Sequence, residues 1–223
     1  MIVDRLEIIN EEFDATTVTP EQYDFLLAHA WRHFGSHFFR YNFGIYEDEI
    51  RRVIPLRIRL ADLKISKSQR RVLRRNADLE VSIGPYKITS ETHELFERHK
   101  RRFKTGVPDT IYDFIARDDA SSPTELLEIS VRDRGKLVAA SFFDLAECSV
   151  SAIYGCFDPE ETRRSLGIFT MLKVMEYASQ IDLEFYYHGY AYEGSSFYDY
   201  KKSFAAIEAF DWNGTWAPFP NDS

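Results

Sequence analysis

Cysteine is scarce in this sequence. The 223 residues contain two, Cys148 and Cys156, and both fall in a segment that reads as one β-strand. Because an extended chain rises about 3.3 Å per residue, two cysteines this far apart in a strand cannot bond to each other. The scarcity excludes a disulfide framework, and we expect both thiols to be small core residues in a reducing compartment.

Long apolar runs and an excess of positive charge are also missing. No segment approaches the roughly 20 apolar residues that span a membrane, and the N-terminus MIVDRLEIIN lacks the layout of a secretory signal. With 36 acidic residues against 28 basic ones, the formal net charge is -8, which excludes diffuse attraction to nucleic acid or anionic lipid. We expect a cytoplasmic protein with no membrane partner that meets any polyanion through a local surface.

Several catalytic and metal-binding patterns are absent as well. There is no Gly-x-Ser-x-Gly, no P-loop and no dinucleotide fingerprint, so covalent hydrolases and nucleotide hydrolases have no support. His29, His33 and His37 recur at every fourth residue, but Gly35 should end the helix before His37. No cysteine or clear carboxylate completes a tetrahedral set. We therefore expect neither a metal site nor a cofactor.

Against this acidic background, residues 65–76 (ISKSQRRVLRRN) form a concentrated basic segment. On a helix its five cations fall within an arc of roughly 140°, and no acidic residue occurs between Asp62 and Asp78. Four of the five are arginines, which favour bidentate contact with phosphate; they are Arg70, Arg71, Arg74 and Arg75. The segment predicts an anion site, and a solvated face paired with acidic residues elsewhere is the alternative.

A second candidate anion site begins a predicted helix after a central strand, in the sequence RRSLGI (163–168). Gly167 would let the backbone approach a ligand closely, and free N–H groups at a helix N-terminus bind phosphate. Arg164 and Ser165 precede this glycine. An ordinary helix start with Ser165 as N-cap explains the same residues equally well.

The aromatic segment LEFYYHGYAY (183–192) predicts a strand whose alternation places Tyr186, His188, Tyr190 and Tyr192 on one face. Such a face can stack on nucleobases or line an apolar pocket. More often an aromatic strand is ordinary core whose tyrosine hydroxyls find partners. His188 is a candidate base, although a single histidine in such a strand is usually structural.

The order of the elements predicts the fold. A capping-box helix should begin at Thr19 and run to about Phe34, and extended segments should follow at 38–46 and 51–60. From residue 79 the pattern predicts a strand, two helices, three antiparallel strands, a helix, a strand, a helix and a strand. The second of these helices starts at Asp109, and the last covers residues 196–208. This is the order of the GNAT acyltransferase fold, an α+β fold with a mixed, largely antiparallel sheet flanked by helices.

This order divides the chain into two predicted parts. Residues 1–76 form an N-terminal region, or extension, that carries the basic segment, and residues 77–223 form the GNAT-like catalytic domain.

Three motifs carry a resemblance to a known family. SKSQRRVLRRNADL, DPEETRRSLGIF and YYHGYAYEGSSFYDYKKSF, in this order and spacing, closely resemble the aminoacyl-tRNA–protein transferases: the arginyl-transferases and their bacterial leucyl-transferase relatives. The similarity extends from about Tyr23 to Trp212, and WRHFGSHFFR and VIPLRI also look like segments of that family. It implies transfer of an amino acid from the 3′ end of a charged tRNA to the N-terminal α-amine of a protein, classically an acidic one.

The resemblance implies donor-binding roles for the basic residues. Acceptor-stem phosphates would contact Arg70, Arg71, Arg74 and Arg75. Arg164, Ser165 and the Gly167 backbone would lie near the terminal phosphate or ribose. A local basic helix of this kind lets an acidic protein bind one RNA without binding RNA indiscriminately.

The resemblance also implies a reacting centre. Because the aminoacyl ester is already activated, the protein has to hold ester and amine together, keep the amine neutral and stabilise the oxyanion. Three residues would line the aminoacyl pocket: Tyr187, His188 and Tyr190. Tyr200 and Lys201 would lie beside the reacting carbonyl, and Asp144 or Glu208 would receive the substrate ammonium.

The sequence departs from the family pattern at two places. The cysteine cluster that holds a metal or iron–sulfur group in some members has no counterpart in YNFGIYEDEIRRVIPLRI, and residues 204–208 read FAAIE where many members have Phe-x-Pro-x-Glu. Two other functions stay open. One is an acyl-CoA-dependent N-acyltransferase, because the same helix N-terminus would hold pyrophosphate; the other is a non-catalytic tRNA-binding protein. The sequence does not specify the donor amino acid.

Overall fold

The structure is a computed structural model that describes residues 7–104, 106–118 and 121–220. Its strands are β1 (Asn10–Asp14), β2 (Arg32–Phe34), β3 (His37–Tyr41), β4 (Phe43–Tyr46), β5 (Glu49–Arg59), β6 (Glu80–Pro85), β7 (Glu125–Asp133), β8 (Lys136–Leu145), β9 (Ser149–Phe157), β10 (Phe185–Tyr192), β11 (Ile207–Phe210) and β12 (Trp216–Pro218). Its α-helices are α1 (Pro20–Ala28), α2 (Lys67–Arg75), α3 (Ser90–Lys100) and α4 (Leu166–Gln180). Short 3-10 helices cover Leu60–Asp62, Ile111–Asp113 and Phe197–Ser203.

A large twisted sheet organises the molecule, with the strand order β12-β11-β5-β10-β9-β8-β7-β6 and β4 paired to the first part of β5. The β9–β10 pair is parallel, whereas the other pairs of this sheet are antiparallel. Consecutive residues of β8 point to opposite faces, so Phe143 packs against α4 and Phe142 against α3. The predicted α+β fold, with a mixed, largely antiparallel sheet flanked by helices in GNAT-like order, is confirmed.

The parallel strands β9 and β10 separate part-way along their length. They pair over Phe185–Tyr187 and Ser149–Ser151, and within these fully described strands the pairing stops there. The register between β10 and β5 shifts at His188, which is a β-bulge. Gly189 follows with a φ of 88°, a conformation that glycine adopts without strain. The result is a fork in the sheet that opens at His188.

A second, small sheet with the order β1-β3-β2 packs beside the large one together with α1. Tyr23 and Leu27 of α1 and Phe38 of β3 share a core cluster with Tyr187 of β10. Residues before position 77 also supply β5, which lies between β10 and β11. The division predicted at residue 76 therefore runs through one shared sheet.

The N-terminal helix is shorter than the sequence predicts. Its start is confirmed, because Thr19 and Gln22 form the capping box. It ends at Ala28, and Ala30 has a φ of 64°, which no helix continues. The chain turns there into the β2–β3 hairpin, so the helix predicted to reach Phe34 is wrong in its last part.

Two other predicted helices and one cysteine also differ. The helix from Asp109 is a single 3-10 turn, Ile111–Asp113. The helix predicted over 196–208 is the 3-10 helix Phe197–Ser203 followed by β11, because Ala206, at a φ of 57°, ends the helical path. Cys148 precedes β9 and is exposed, whereas Cys156 is buried as expected.

Candidate active site

Two cations face each other at the mouth of the fork. The 3-10 helix Phe197–Ser203 starts with a capping box between Ser196 and Asp199 and lays Lys201 against β10. The Nζ atom of Lys201 donates to the carbonyl of Tyr190 at 3.0 Å. A Cβ atom at Gly189 would lie 3.3 Å from this Nζ and 3.9 Å from Nη2 of Arg32, so the missing side chain leaves room for both cations.

Arg32 enters the fork from β2 of the small sheet and is 8% exposed. Its guanidinium donates from Nη1 to Oγ of Ser151 at 2.7 Å and from Nη2 to the carbonyl of Ala152, the first β9 residue beyond the fork. In the described part of the chain, neither Arg32 nor Lys201 has a carboxylate within ion-pair distance. Buried cations are normally paired. Among the described residues, neither the buried Arg32 nor the half-buried Lys201 has a counter-charge of the protein's own.

The environment of Lys201 changes its acidity. Burial, followed by the positive charge of Arg32, lowers the pKa of Lys201 to about 7. Its ordinary value is about 10.4. At neutral pH, Lys201 therefore exchanges a proton readily instead of remaining a permanent cation.

His188 lies at the bulge and is 3% exposed. Neither ring nitrogen has a hydrogen-bond partner among the described residues, although the ring contacts Tyr186 and Phe204 edge-on. Burial, followed by the charges of Lys201 and Arg32, lowers the pKa of His188 well below its ordinary value. The imidazole is therefore neutral at pH 7 and offers one donor and one acceptor to a ligand.

Asp144 is fully buried and lies in a completed polar cluster. It accepts hydrogen bonds from Nε2 of His33 at 2.8 Å, from the hydroxyl of Thr124 at 2.8 Å and from the hydroxyl of Tyr23 at 3.2 Å. Nδ1 of His33 lies 2.8 Å from the carbonyl of Gly35. The carboxylate predicted to receive a substrate ammonium therefore already has three protein partners. It ties the small sheet and α1 to β8.

Glu208 belongs to a separate cluster of cations and aromatic rings. It accepts from Nε of Arg57 at 2.7 Å and from Nη2 of Arg59 at 3.0 Å. Although burial raises the pKa of Glu208, these hydrogen bonds hold it below its ordinary value. Arg57 also donates to the hydroxyl of Tyr187 at 3.1 Å and lies 3.9 Å from the ring centroid of Phe185. Glu208 and Tyr187 are therefore held by protein groups outside the fork.

Tyr190 and Tyr200 lie on either side of the fork residues. The hydroxyl of Tyr190 donates to the carbonyl of Ala30 at 2.6 Å, so it fastens β10 to the small sheet. Tyr200, next to Lys201, is 40% exposed. Of the two, Tyr200 is the one whose ring a ligand can reach.

The basic segment forms α2, whose start is capped by Ser66 and Gln69. Its cations are exposed: Lys67, Arg70, Arg71, Arg74 and Arg75. Arg70 donates to the carbonyl of Ile65 and Arg75 to that of Arg163. In the residues that the structure describes, none of the five forms an ion pair. The positive face is therefore not neutralised by the acidic chain around it.

The C-terminal end of α2 meets the start of α4. Ser165 has a φ of 53°, and no side chain caps α4 among the described residues; Ser165 is thus not an ordinary N-cap. Arg164 forms a bidentate pair with Asp78 at 2.9 and 3.0 Å and a third contact with Glu161 at 3.2 Å. A Cβ at Gly167 would lie 3.1 Å from the ring of Phe157. Arg164 is paired with protein carboxylates, and the lack of a side chain at Gly167 lets Phe157 pack closely against it.

Comparison with known proteins identifies the chain. Residues 91–211 match the family model described as arginine-tRNA-protein transferase, C terminus, which is more than half of the sequence. This chain belongs to that family. The matched residues include α4, β10 and the 3-10 helix with Lys201. Arg32 and the basic helix α2 lie before them.

Two curated relatives support the family membership. An aspartate/glutamate leucyltransferase of Acinetobacter baylyi is 33% identical over 162 residues, which cover 71% of this chain and 59% of the relative. A protein of the same name from Parvibaculum lavamentivorans is 32% identical over 177 residues, or 78% of this chain and 73% of the relative. The match to the Acinetobacter protein thus spans less than two thirds of that protein's own length.

Solved structures resemble the chain in fold. FemX superposes with a TM-score of 0.52 at 11% identity and covers 87% of this chain and 68% of its own. The C-terminal domain of a putative lysylphosphatidylglycerol synthetase from Agrobacterium fabrum gives 0.50 at 16% identity and covers 64% and 49%. At these identities the likeness concerns the fold alone.

The metal-binding group known in some family members does not fit this chain. Residues 41–58, the counterpart of the cysteine-containing segment, form β4 and β5 and contain no cysteine. His29 ends α1, His33 binds Asp144, and His37 is exposed on β3. No cluster of metal ligands occurs among the described residues.

In the part of the chain that the structure describes, every helix is too short or too polar to span a membrane.

Arg32 is the site residue that the sequence does not reveal. It lies in WRHFGSHFFR, which carries part of the family resemblance, but its partner Ser151 is 119 residues away. A cation in a short aromatic segment gives no local signal of burial. The residues after Arg32 have an extended pattern. That pattern would have placed Arg32 on a strand instead of on the surface of a helix.

Proposed function

We propose that this chain transfers an amino acid from an aminoacyl-tRNA to the N-terminal α-amine of a protein whose first residue is acidic. The observation that carries the proposal is the fork, where, among the described residues, Arg32 and Lys201 have no carboxylate partner and the ring of His188 has no hydrogen-bond partner. Membership of the arginine-tRNA-protein transferase family supports the reaction class. Because charged tRNA is a cytoplasmic substrate, the proposal also implies a cytoplasmic location.

The exposed face of α2 supports binding of the donor RNA. Its cations lack acidic partners among the described residues, and it adjoins the start of α4, where Arg75 contacts the backbone of Arg163. Phosphate contacts from arginines hold an RNA in position without reading its sequence. An acceptor stem on this face lies next to the start of α4, the helix that follows β9 at one side of the fork.

The chemistry requires no protein nucleophile. The acceptor amine attacks the ester carbonyl, a C–N bond forms, and the C–O bond to the terminal ribose breaks. Lys201, with a pKa of about 7, accepts the proton that the amine loses and returns it to the departing ribose oxygen. The neutral imidazole of His188 provides a hydrogen bond to the reacting groups. Arg32 and the protonated lysine favour negative charge on the tetrahedral intermediate.

The unpaired cations support an acidic acceptor residue. A carboxylate side chain next to Arg32 supplies the counter-charge that the described protein residues do not provide. It also offsets the repulsion from Arg32 that, after burial, contributes to the lowered pKa of Lys201. The two curated relatives are named aspartate/glutamate leucyltransferase, which supports both an acidic acceptor and leucine as donor.

The test combines a mixture of charged tRNAs with peptides that differ only in the first residue: Asp, Glu, Asn or Ala. Mass spectrometry should find one added amino acid, leucine, on the Asp and Glu peptides, and little on the isosteric Asn peptide. Acetyl-CoA serves as a second donor. Acetylation without aminoacyl transfer would replace the proposal with the acyl-CoA reaction, and tRNA binding without modification would leave a binding protein.

A further inference from the structure

We propose that Phe197, Tyr200 and Arg102 form a binding surface for the terminal nucleotide of the donor RNA, with its base stacked on an exposed ring beside the guanidinium. We call these three residues the aromatic rim. The inference rests on the proposed function and extends it, because it assigns a nucleotide site outside the basic face of α2.

The rim is exposed but rigid. Phe197 is 56% exposed and Tyr200 40%, and their ring centroids are 6.5 Å apart at an interplanar angle of 80°. The N–H of Phe197 donates to the hydroxyl of Tyr46 at 2.9 Å, and Arg51 binds the carbonyl of Ser195. The β4–β5 hairpin thus fixes the backbone that presents these rings. A fixed, exposed aromatic pair is a surface that a base can stack on.

Arg102 adds charge to the rim. Its guanidinium lies 4.4 Å from the ring centroid of Phe157 and 6.0 Å from that of Phe197. It lies within a basic stretch, RHKRRFK (98–104), in which Arg98 pairs with Asp158 and Lys100 with Glu97. Among the described residues Arg102 has no acidic partner. An arginine beside exposed rings is the combination that binds unstacked nucleobases and their phosphates.

The position of the rim favours the terminal nucleotide over other parts of the RNA. Tyr200 directly precedes Lys201 on the same 3-10 helix. Phe157, under Arg102, packs against Gly167 at the start of α4. The rim therefore lies between the uncapped end of α4 and the reacting centre. The ester is on the ribose of the last nucleotide, so its base must lie beside the centre.

The experiment measures binding of two uncharged tRNAs, one complete and one lacking only the last nucleotide, at fixed salt. For the wild-type protein, the last nucleotide should increase affinity about tenfold or more, as expected for one stacked base. Phe197→Ala should weaken binding of the complete tRNA by about the same factor and leave binding of the truncated tRNA unchanged. Arg102→Lys keeps the positive charge but removes the planar guanidinium, so it should also weaken binding of the complete tRNA. The matched controls are Phe25→Ala, since Phe25 is 63% exposed on α1, and Arg101→Lys.

Two results would overturn the inference. Equal weakening of binding of both tRNAs by Phe197→Ala, or no weakening of either, would show that the rim does not contact the last nucleotide. Alternatively, Phe197→Ala could raise the KM for the acceptor peptide with unchanged tRNA binding, and the rim would then be a peptide site. These outcomes are separate from failure of the proposed function, in which the wild-type protein would bind no tRNA or transfer no amino acid.

Discussion

Two adjacent residues of β2, His33 and Arg32, each belong to a buried polar cluster. The two clusters differ in whether protein groups satisfy their polar atoms. His33 reaches Asp144, whose carboxylate also binds Tyr23 and Thr124. Arg32 reaches the fork, where His188 has no hydrogen-bond partner and Lys201 has no counter-charge among the described residues. Buried polar groups that are satisfied by the protein stabilise it, whereas groups left incomplete indicate a ligand. The short strand β2 therefore contributes one residue to a cluster that stabilises the fold and one residue to a candidate ligand site.

The completed cluster positions the incomplete one. Tyr23 hydrogen-bonds Ser151 as well as Asp144, and Ser151 is the residue that receives Arg32. In the β8–β9 ladder, Asp144 and Ser151 are direct partners. We therefore expect substitutions in the two clusters to separate stability from activity.

The largest effect is expected from Lys201→Met, which removes the proposed proton acceptor and keeps the length of the side chain. Single-turnover transfer should fall about 100- to 10,000-fold, the usual contribution of a positioned acid or base. The unfolding midpoint should not decrease, because burial of the charged form is unfavourable. Lys202→Met is the control, since Lys202 pairs with Asp199 and donates to Gly194 at the surface. Near-normal rates for Lys201→Met would remove this residue from the mechanism.

Asp144→Ala should affect mainly stability. It leaves His33 and the hydroxyls of Tyr23 and Thr124 without their buried acceptor, so the free energy of unfolding should fall by about 3 kcal/mol. Urea unfolding measures this change, and the neighbouring exposed Glu147→Ala should stay within about 0.5 kcal/mol of the wild type. A loss of transfer per folded molecule as large as that of Lys201→Met would show that Asp144 belongs to the reacting centre.

The pH profile tests the pKa of Lys201 directly. Because the proton acceptor must be neutral, single-turnover rates should decline as the pH falls through about 7 and drop about tenfold per unit below 6. The substrate amine also titrates, so a comparison with Arg32→Met is needed. This substitution removes a charge that lowers the pKa of Lys201, and the inflection should move to higher pH. An unmoved inflection would assign the titration to the substrate.

The smallest effect is expected on α2, where each exposed arginine contributes little alone. Reversal of Arg70 and Arg71 to Glu should weaken tRNA binding and make the slope of log K against log salt shallower by about 2. Binding assays at several salt concentrations measure this slope. Reversal of Lys87 and Arg117, which are exposed elsewhere, changes the net charge equally and should leave the slope nearly unchanged. Equal effects of both pairs would show that α2 is only a solvated face.

Local patterns predicted most of the large sheet. The apolar runs of β7, β8 and β9, the turns between them and the capping boxes of α1 and α2 are encoded by residues close in sequence. Strand β3 lies largely within the extended segment predicted at 38–46, but β2 was missed because its histidine and aromatic residues also fit a helical period. Only the left-handed Ala30 ends the helix, and alanine gives no warning of that conformation.

The candidate site was also predicted only in part, because the sequence reveals local patterns but not partners that are distant in sequence. His188 and Lys201 lie in one continuous motif, so the resemblance named both. Whether a polar residue is satisfied depends on partners far away in sequence, such as Arg57 and Glu208, which are 151 residues apart. The sequence could therefore propose Asp144 and Glu208 as substrate ligands without showing that protein groups already hold them.

The central position of β5 has a consequence for the order of assembly during synthesis. Val53–Arg59 finds its partners in β10 and β11, which leave the ribosome only after more than a hundred further residues have been made. Until then this apolar strand has two open edges, a condition that promotes pairing with other chains. The fork and its cations cannot form before that closure. An incomplete nascent chain therefore lacks the proposed reacting centre.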